Sequence, residues 1–418
     1  MHFLYSTLWL LVLPFAALKL WWRSRRESGY STKPGERLGL AASVATVPTL
    51  WIHAVSVGET RAAAPLIAAL RARHPHHRIL VTHMTATGRT TARGLYGEFA
   101  ELAWLPWDLP WAQRAFLRRW KPALGIVMET EIWPNLLREA RRAGVPMVLA
   151  NARLSARSAM RYARLDGFVR NVLADFTAIG AQTGDDGARF RSLGAQQVSV
   201  TGNLKFDICA PAAQIALGTR WHQAIGARQV LLLASTRDGE EALLLDALLA
   251  AIPPDVLIAL VPRHPQRFDE VATLIASRGL GLCRRSEGRW PTTDTRIWLG
   301  DAMGEMFAWY RLADLALIGG SWLPLGGQNL IEACSVGCPV LSGPHTFNFE
   351  QATEDAIAAG AALRVDDATA AAAEARRLLA EPATLGTMGE AGRAYAQAHR
   401  GATARTMALV DPLLASTT

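Results

Sequence analysis

Short apolar runs recur along this chain with helix-patterned segments between them, and that alternation limits the fold more than any other feature. "TLWIHAV", "RILVTHM", "ALGIVME", "VPMVLAN", "FTAIGA" and "QVSVTG" form a first series, which ends near Asp207. "QVLLLAST", "DVLIALVP", "TRIWLG", "DLALIGG" and "CPVLSG" form a second. Strands that alternate with helices predict a parallel sheet covered on both faces. Two such series in 418 residues predict an α/β chain with two Rossmann-like domains facing a central cleft. Ligands in such sheets sit outside the carboxyl ends of the strands. On this pattern the chain divides into a segment 1–30, a first domain 31–207, a linker 208–226, a second domain 227–390 and a helical tail 391–418.

The amino-terminal stretch differs in kind. "FLYSTLWLLVLPFAALKLWWRSRR" supplies enough apolar residues to span a bilayer, followed by Trp21, Trp22 and the basic Arg23, Arg25 and Arg26. A cleaved signal peptide carries its positive charge before the apolar run, and here the order is reversed. The run therefore reads as a membrane-anchor helix with the rest of the chain on the cytoplasmic face. Pro14 and Lys19 interrupt it, so an interfacial helix in the headgroups competes with a spanning one, and a buried core helix is the plain alternative.

Half of the residues are hydrophobic and 19% are charged, which excludes general disorder. The net charge of +8 is carried almost entirely by arginine, which fits phosphates, nucleotides or an anionic membrane. Cys209, Cys283, Cys334 and Cys338 form no CxxC pair, so neither a metal cage nor a disulfide framework is expected, and reduced thiols fit the cytosol.

Chemistry-bearing loops fall at the predicted strand ends. In the second domain "GGQNLIEA" (326–333) follows "GGSWLP" and starts a helix whose amides suit an anion, with Glu332 placed to accept from a ribose diol. That arrangement resembles the nucleotide-sugar pocket of GT-B glycosyltransferases; a glycine loop with an acidic first turn explains the same residues without a ligand. Arg263 in "VPRHPQRF" could grip a phosphate. "GDAMGEMFAWY" and "SGPHTFNF" add two more loops at that rim. In the first domain the loops are "SVGET", "MTATGR", "METEIWPN" and "NARLS". Glu59, Glu129 and Glu131 could serve as general bases or as capping and pairing groups. "ARHPHHRIL" holds three histidines without partners at metal-binding spacing and reads as a basic turn. Trp104, Trp107 and Trp111 read mainly as core and loop packing, with contact to an acyl chain as the alternative.

Taken in order, "HAVSVGET", "LPWDLPWAQRAF", "METEIWPNLL", "NARLSARSA", "GNLKFD", "VPRHPQRF", "GDAMGEM", "GGQNLIEA" and "GPHTFNF" resemble the 3-deoxy-D-manno-octulosonic acid (Kdo) transferase family of lipopolysaccharide synthesis over nearly the whole chain. The resemblance implies the GT-B fold and metal-independent, inverting transfer of Kdo from CMP-Kdo to a lipid A precursor (lipid IVA) at the inner membrane. It implies no cofactor, no nucleic acid and no obligate protein partner. On matching positions it makes Glu59 the base, with its helix-start position expected to keep it ionised, and Glu129 a second active-site carboxylate. Ser56, Gly58 and Lys205 become substrate contacts. Arg263, Gly300, Asp301, Met303, Gly304, Glu305, Asn329 and Glu332 become CMP-binding positions. Gln328 stands where the family has His, and Ala302 where Thr is common. Two alternatives are a GT-B enzyme of other donor specificity and a non-catalytic basic protein that binds nucleic acid or anionic lipid; scattered arginines argue against the latter.

Overall fold

The computed structural model of the protein describes residues 1–40 and 47–415. It forms two compact units, one of Met1–Ile208 with Arg400–Thr418 and one of Cys209–His399.

The first unit is built on seven parallel strands: β1 (Thr49–His53), β2 (Arg78–His83), β3 (Ala100–Trp104), β4 (Pro122–Met128), β5 (Met147–Ala152), β6 (Ala178–Ala181) and β7 (Val198–Val200). Their order is β3-β2-β1-β4-β5-β6-β7. The chain winds outward from β1 through β3, then returns to pair β4 beside β1, with His53 opposite Val127. That reversal opens a crevice at the strand ends where helices leave on opposite faces. The inner strands β1, β2, β4, β5 and β6 are buried on both faces because helices cover both, which is why they read as apolar runs. The last helix, Ala402–Ala415, belongs here too: Met407, Val410 and Leu414 complete the core that contains Leu50, Ile52 and Ile126.

The second unit repeats the plan with β8 (Val230–Thr236), β9 (Leu257–Pro262), β10 (Leu282–Arg284), β11 (Ile297–Leu299), β12 (Leu315–Ile318), β13 (Val340–Ser342) and β14 (Ala362–Arg364) in the order β10-β11-β9-β8-β12-β13-β14. Its crevice lies between β8 and β12. Residues without strand rhythm form the helix Ala212–Ile225. That helix brings Trp221 onto Trp298 and Trp309, with ring centroids 4.5–5.2 Å apart.

The apolar pattern missed three strands, β3, β10 and β14. The latter two are three-residue strands, and β3, β10 and β14 each end a sheet or stand at its edge, where one neighbour is enough and an apolar run is not required.

At the amino terminus α1 (His2–Arg26) is one continuous helix despite Pro14. It is long and apolar enough to cross a membrane by composition. All four cysteines are free thiols, three of them buried.

Candidate active site

β1 ends at His53, and the chain turns through Ala54 and Val55 into α2 (Val57–Ala62). Ser56 caps this helix by accepting from the Glu59 amide at 3.3 Å, and its hydroxyl donates to Glu59 Oε1 at 2.9 Å. The Val55 amide donates to Glu59 Oε2, also at 2.9 Å. This reciprocal serine–glutamate box fixes the carboxylate's position. The plain reading of Glu59 as a helix-start residue is therefore true of its bonds. It is incomplete for its charge.

The expectation that a helix start keeps Glu59 readily ionised is corrected by its surroundings. Burial pushes the carboxyl up to about 7, and the negative charges of Glu129 and Glu131 push the same way, against the lowering effect of the Val55 and Ser56 bonds. A carboxylate tuned to that range is a far better proton acceptor near neutrality than an ordinary one.

Glu129 stands just past β4, the strand that adjoins β1. It sits at φ 56°, a left-handed conformation in a non-glycine residue. Asn151 at the end of β5 has φ 55°. Lys205 Nζ pairs with Glu129 Oε1 at 3.0 Å, and Asn151 Nδ2 donates to the same oxygen at 3.4 Å. Strained residues at adjacent strand ends persist only where the surroundings hold them. Asn151 shows how: its Oδ1 accepts from the Leu204 amide at 2.9 Å, fixing the loop that carries Lys205. Glu131 accepts from Trp133 Nε1 at 2.9 Å, and burial, then Glu129, raise its carboxyl above the usual range. A cavity of about 290 Å³ adjoins the cluster, lined by Glu129, Thr130, Ile132, Arg153, Ser158 and Tyr162 among others.

Gly58 is exposed, and an added Cβ there would meet only Ser56 Oγ at 3.8 Å. Packing gives no reason for glycine at this helix start. His53 and His83 lie buried beneath the loop, bonded to Thr82 and to the Ala54 carbonyl; burial depresses them to about 3 and about 4, so both are neutral.

In the second unit the four predicted loops gather on one sheet edge. Arg263 follows β9 and donates through Nε to Gln328 Oε1 at 3.3 Å. Gln328 therefore fills its position as a hydrogen-bond acceptor for the arginine, a role that needs no titrating group. Asn329 orients the next helix, accepting from the Ile331 amide at 3.0 Å and donating to Glu332 Oε1 at 3.2 Å. Gly300 is required by contact, since a Cβ would lie 2.9 Å from the Trp309 ring. Gly304 (φ 86°) makes the turn before Glu305, and Met303 is exposed. Asp301 turns inward: Arg284 Nε at 2.6 Å and the Ser286 amide and hydroxyl at 2.8 and 2.6 Å occupy its carboxylate, and these bonds hold its carboxyl below the ordinary range despite burial. Glu305 pairs with Arg285 at 2.8 Å. The carboxylates of Asp301 and Glu305 thus shape the loop, and Met303 and Gly304 are what it presents outward.

Several organising residues escaped the motif reading. Glu240 is fully buried and accepts from the amides of Arg237, Gly320 and Trp322 at 2.8, 2.6 and 3.0 Å, holding the "GGS" turn open across the β8/β12 crevice. Its signal was "STRDGEE" at a strand end. Ser235, at φ 60°, marks the same place. The histidine turn meets the carboxyl-terminal helix: His74 Nε2 lies 3.3 Å from Asp411 Oδ1. Trp104 is fully buried, with Arg37 and Arg89 over its ring at 4.1 and 4.8 Å. Among the described residues no group of three His, Cys, Asp or Glu could hold a metal ion.

Comparison with known proteins decides the family. The model described as 3-Deoxy-D-manno-octulosonic-acid transferase (kdotransferase) matches residues 32–208. A 3-deoxy-D-manno-octulosonic acid transferase of Bordetella pertussis is 48% identical over 416 residues, covering 96% of each chain. The chain belongs to the 3-deoxy-D-manno-octulosonic acid transferase family. It is accordingly a glycosyltransferase, a Kdo-transferring enzyme. A family member from Haemophilus influenzae is 35% identical over 427 residues, covering 99% of both chains. Among solved structures, UDP-GlcNAc 2-epimerase from Neisseria meningitidis, bound to UDP-GlcNAc, superposes with a TM-score of 0.59 at 16% identity over 87% of this chain and 99% of its own. That likeness carries the fold, the two Rossmann-like units of the GT-B architecture.

Proposed function

We propose that the chain moves Kdo from CMP-Kdo to a hydroxyl of a lipid A precursor, with inversion, on the cytoplasmic face of the inner membrane. Glu59 takes the proton of the acceptor hydroxyl, the freed oxygen attacks the anomeric carbon, and the bond to CMP breaks with its electron pair leaving on the phosphate. The observation that carries the reading is Glu59, fixed by Ser56 and the Val55 amide at the end of β1 in a chain alike over its length to 3-deoxy-D-manno-octulosonic acid transferases, its carboxyl raised to about 7 by burial. Glu129 and Lys205 form a paired charge at the same strand ends, suited to an acceptor that bears phosphates or to the Kdo carboxylate. Ser56 and Gly58 border the acceptor hydroxyl.

CMP rests on the rim of the second unit. Arg263, oriented by Gln328, meets its phosphate; the turn of Gly300, Met303 and Gly304 receives the nucleoside; Asn329 and Glu332 face the ribose. Asp301 and Glu305 hold that turn in shape. Fixed cations and amides that meet developing phosphate charge supply transition-state stabilisation, so no divalent ion is needed.

The test is turnover with CMP-Kdo and a tetraacylated lipid A precursor in EDTA, read by product mass. Products heavier by one or more Kdo, with inhibition by CMP and not by UDP, are expected. A silent enzyme, or one that uses a UDP-sugar instead, would overturn the proposal.

A further inference from the structure

The helix α1 carries its polarity the wrong way round for a protein surface. Its half-buried positions, His2, Tyr5, Trp9, Leu13, Ala16 and Leu20, recur at helical spacing and face the first unit. The opposite stripe of Phe3, Leu4, Leu8, Leu11, Phe15 and Leu18 is exposed, with Phe3 at 85% and Phe15 at 73%. The inward face carries the polar groups of His2, Tyr5 and Trp9 together with Leu13, Ala16 and Leu20, and the outward stripe is hydrocarbon.

Both ends are fastened to the same unit. Near the amino end Tyr5 Oη donates to Asp108 Oδ2 at 2.9 Å and Ser6 Oγ to Asn135 Oδ1 at 3.0 Å, while His2 and Trp9 meet Phe168 and Trp133. Asp108 also caps the helix Pro134–Arg142 through the Asn135 and Leu136 amides. Near the other end Leu20 packs on Tyr30, Ala86 and Trp104, and Arg23 lies over the Tyr30 ring at 5.9 Å. A helix of 25 residues is about 37 Å long, so contacts at both ends lay it along the unit. If it crossed a bilayer in that pose, the edge of the unit with Asp108 and Asn135 would lie in hydrocarbon, which polar groups resist by several kcal/mol each.

We infer that α1 lies in the plane of an anionic bilayer, its outward stripe in the acyl region and its inward stripe on the first unit, and does not span. The inference rests on the membrane part of the proposal above and is independent of the reaction. The fringe fits: Trp21, Trp22, Lys19, Arg23 and Arg25 suit the headgroup level. The helix Ala156–Ala163, which packs on the helix Asp166–Leu173 that carries Phe168, buries nothing and adds exposed Met160 with Arg157 and Arg161. The consequence is positional. Ala86, against which Leu20 packs, follows Thr85, whose hydroxyl donates to the Val55 carbonyl at 2.7 Å, one residue from Ser56. Trp133 and Asn135 follow Glu131. The helix therefore flanks the carboxyl edge of the sheet that bears Glu59 and Glu129, and an acceptor with acyl chains in the same leaflet presents its hydroxyl there.

The test labels Leu4→Cys, Leu11→Cys and Leu18→Cys, singly, with an environment-sensitive fluorophore in the full chain carrying Cys209→Ser. Vesicles of phosphatidylethanolamine and phosphatidylglycerol carry shallow or deep spin-label quenchers. Equal, shallow depth at all three is expected. A deep Leu11 between shallow Leu4 and Leu18, which successive steps of about 10 Å along the helix would produce in a span, overturns the inference. So does absence of quenching, the result if a second copy covers the stripe. As an independent check, a disulfide between Ser6→Cys and Asn135→Cys should leave vesicle binding within twofold, whereas a helix that must detach to span would lose binding when locked.

Discussion

Glu59 combines two demands at one position. Its bonds to Ser56 and the Val55 amide are those of a helix cap, and its burial beside two other carboxylates gives it the proton affinity of a base. Because the base must be deprotonated, kcat/KM should rise with pH through about 7. Glu131→Gln removes one of the negative neighbours that raise Glu59, so its acid limb should fall at lower pH than that of wild type; an unchanged limb would detach Glu131 from the site. Gly58→Ala separates packing from chemistry. Alanine in the first turn favours the helix by roughly 0.5–1 kcal/mol, so the variant should melt no lower than wild type while losing at least tenfold in turnover. At this scale the sequence was readable for residue type and partly misleading for state. "SVGET" displayed the capping box, but no local pattern carries the burial that overrides its effect on ionisation, nor the charges of Glu129 and Glu131, about 70 residues away, that add to it.

The strand-end loops are the elements that matter, and those after β1 and β4 and after β8 and β12 lie where the strand order reverses. Buried carboxylates and amides hold these loops from behind. Glu240 is the clearest case, because three amides lose their acceptor if it is removed. Glu240→Ala should destabilise the second unit by about 1–3 kcal/mol for stranded donors, and raise KM for CMP-Kdo more than it lowers kcat, measured by melting and by donor titration. The strands β1, β2, β4, β5, β8, β9 and β12 were legible as apolar runs because they are covered on both faces. β10 and β14 were not, since each is three residues that end in an arginine, Leu-Cys-Arg and Ala-Leu-Arg, too short and too charged to read as an apolar run. The loop positions followed from the strand ends. The props behind them, Asn151 and Glu240, did not, because a buried polar residue looks like a surface one until its partners are known.

In the whole molecule the chain closes on itself: it leaves the first unit at Ile208, builds the second, and returns at Arg400. The returning helix adds Met407, Val410 and Leu414 to the first core, and Asp207 is tied to the Gly401 amide at 2.7 Å. Truncation after His399 removes the buried Met407, Val410 and Leu414, each worth about 1.5–3 kcal/mol of burial, so the first unit should lose protection from hydrogen exchange while the second keeps it. Composition showed the tail to be helical, but the unit it serves is a long-range fact that periodicity does not encode. On the proposed function, the two units, the amino-terminal helix and Glu59 serve one reaction. The measurement that bears on it most directly is single-turnover Kdo transfer by wild type and Glu59→Gln across pH, with both proteins shown folded by melting. The glutamine oxygen can still accept from the Val55 amide while its NH2 donates to the Ser56 hydroxyl, so the variant should fold normally, transfer at least a hundredfold more slowly and show no acid limb near pH 7. A Glu59→Gln enzyme that retains the wild-type rate and limb would contradict the account and leave Glu59 a helix cap.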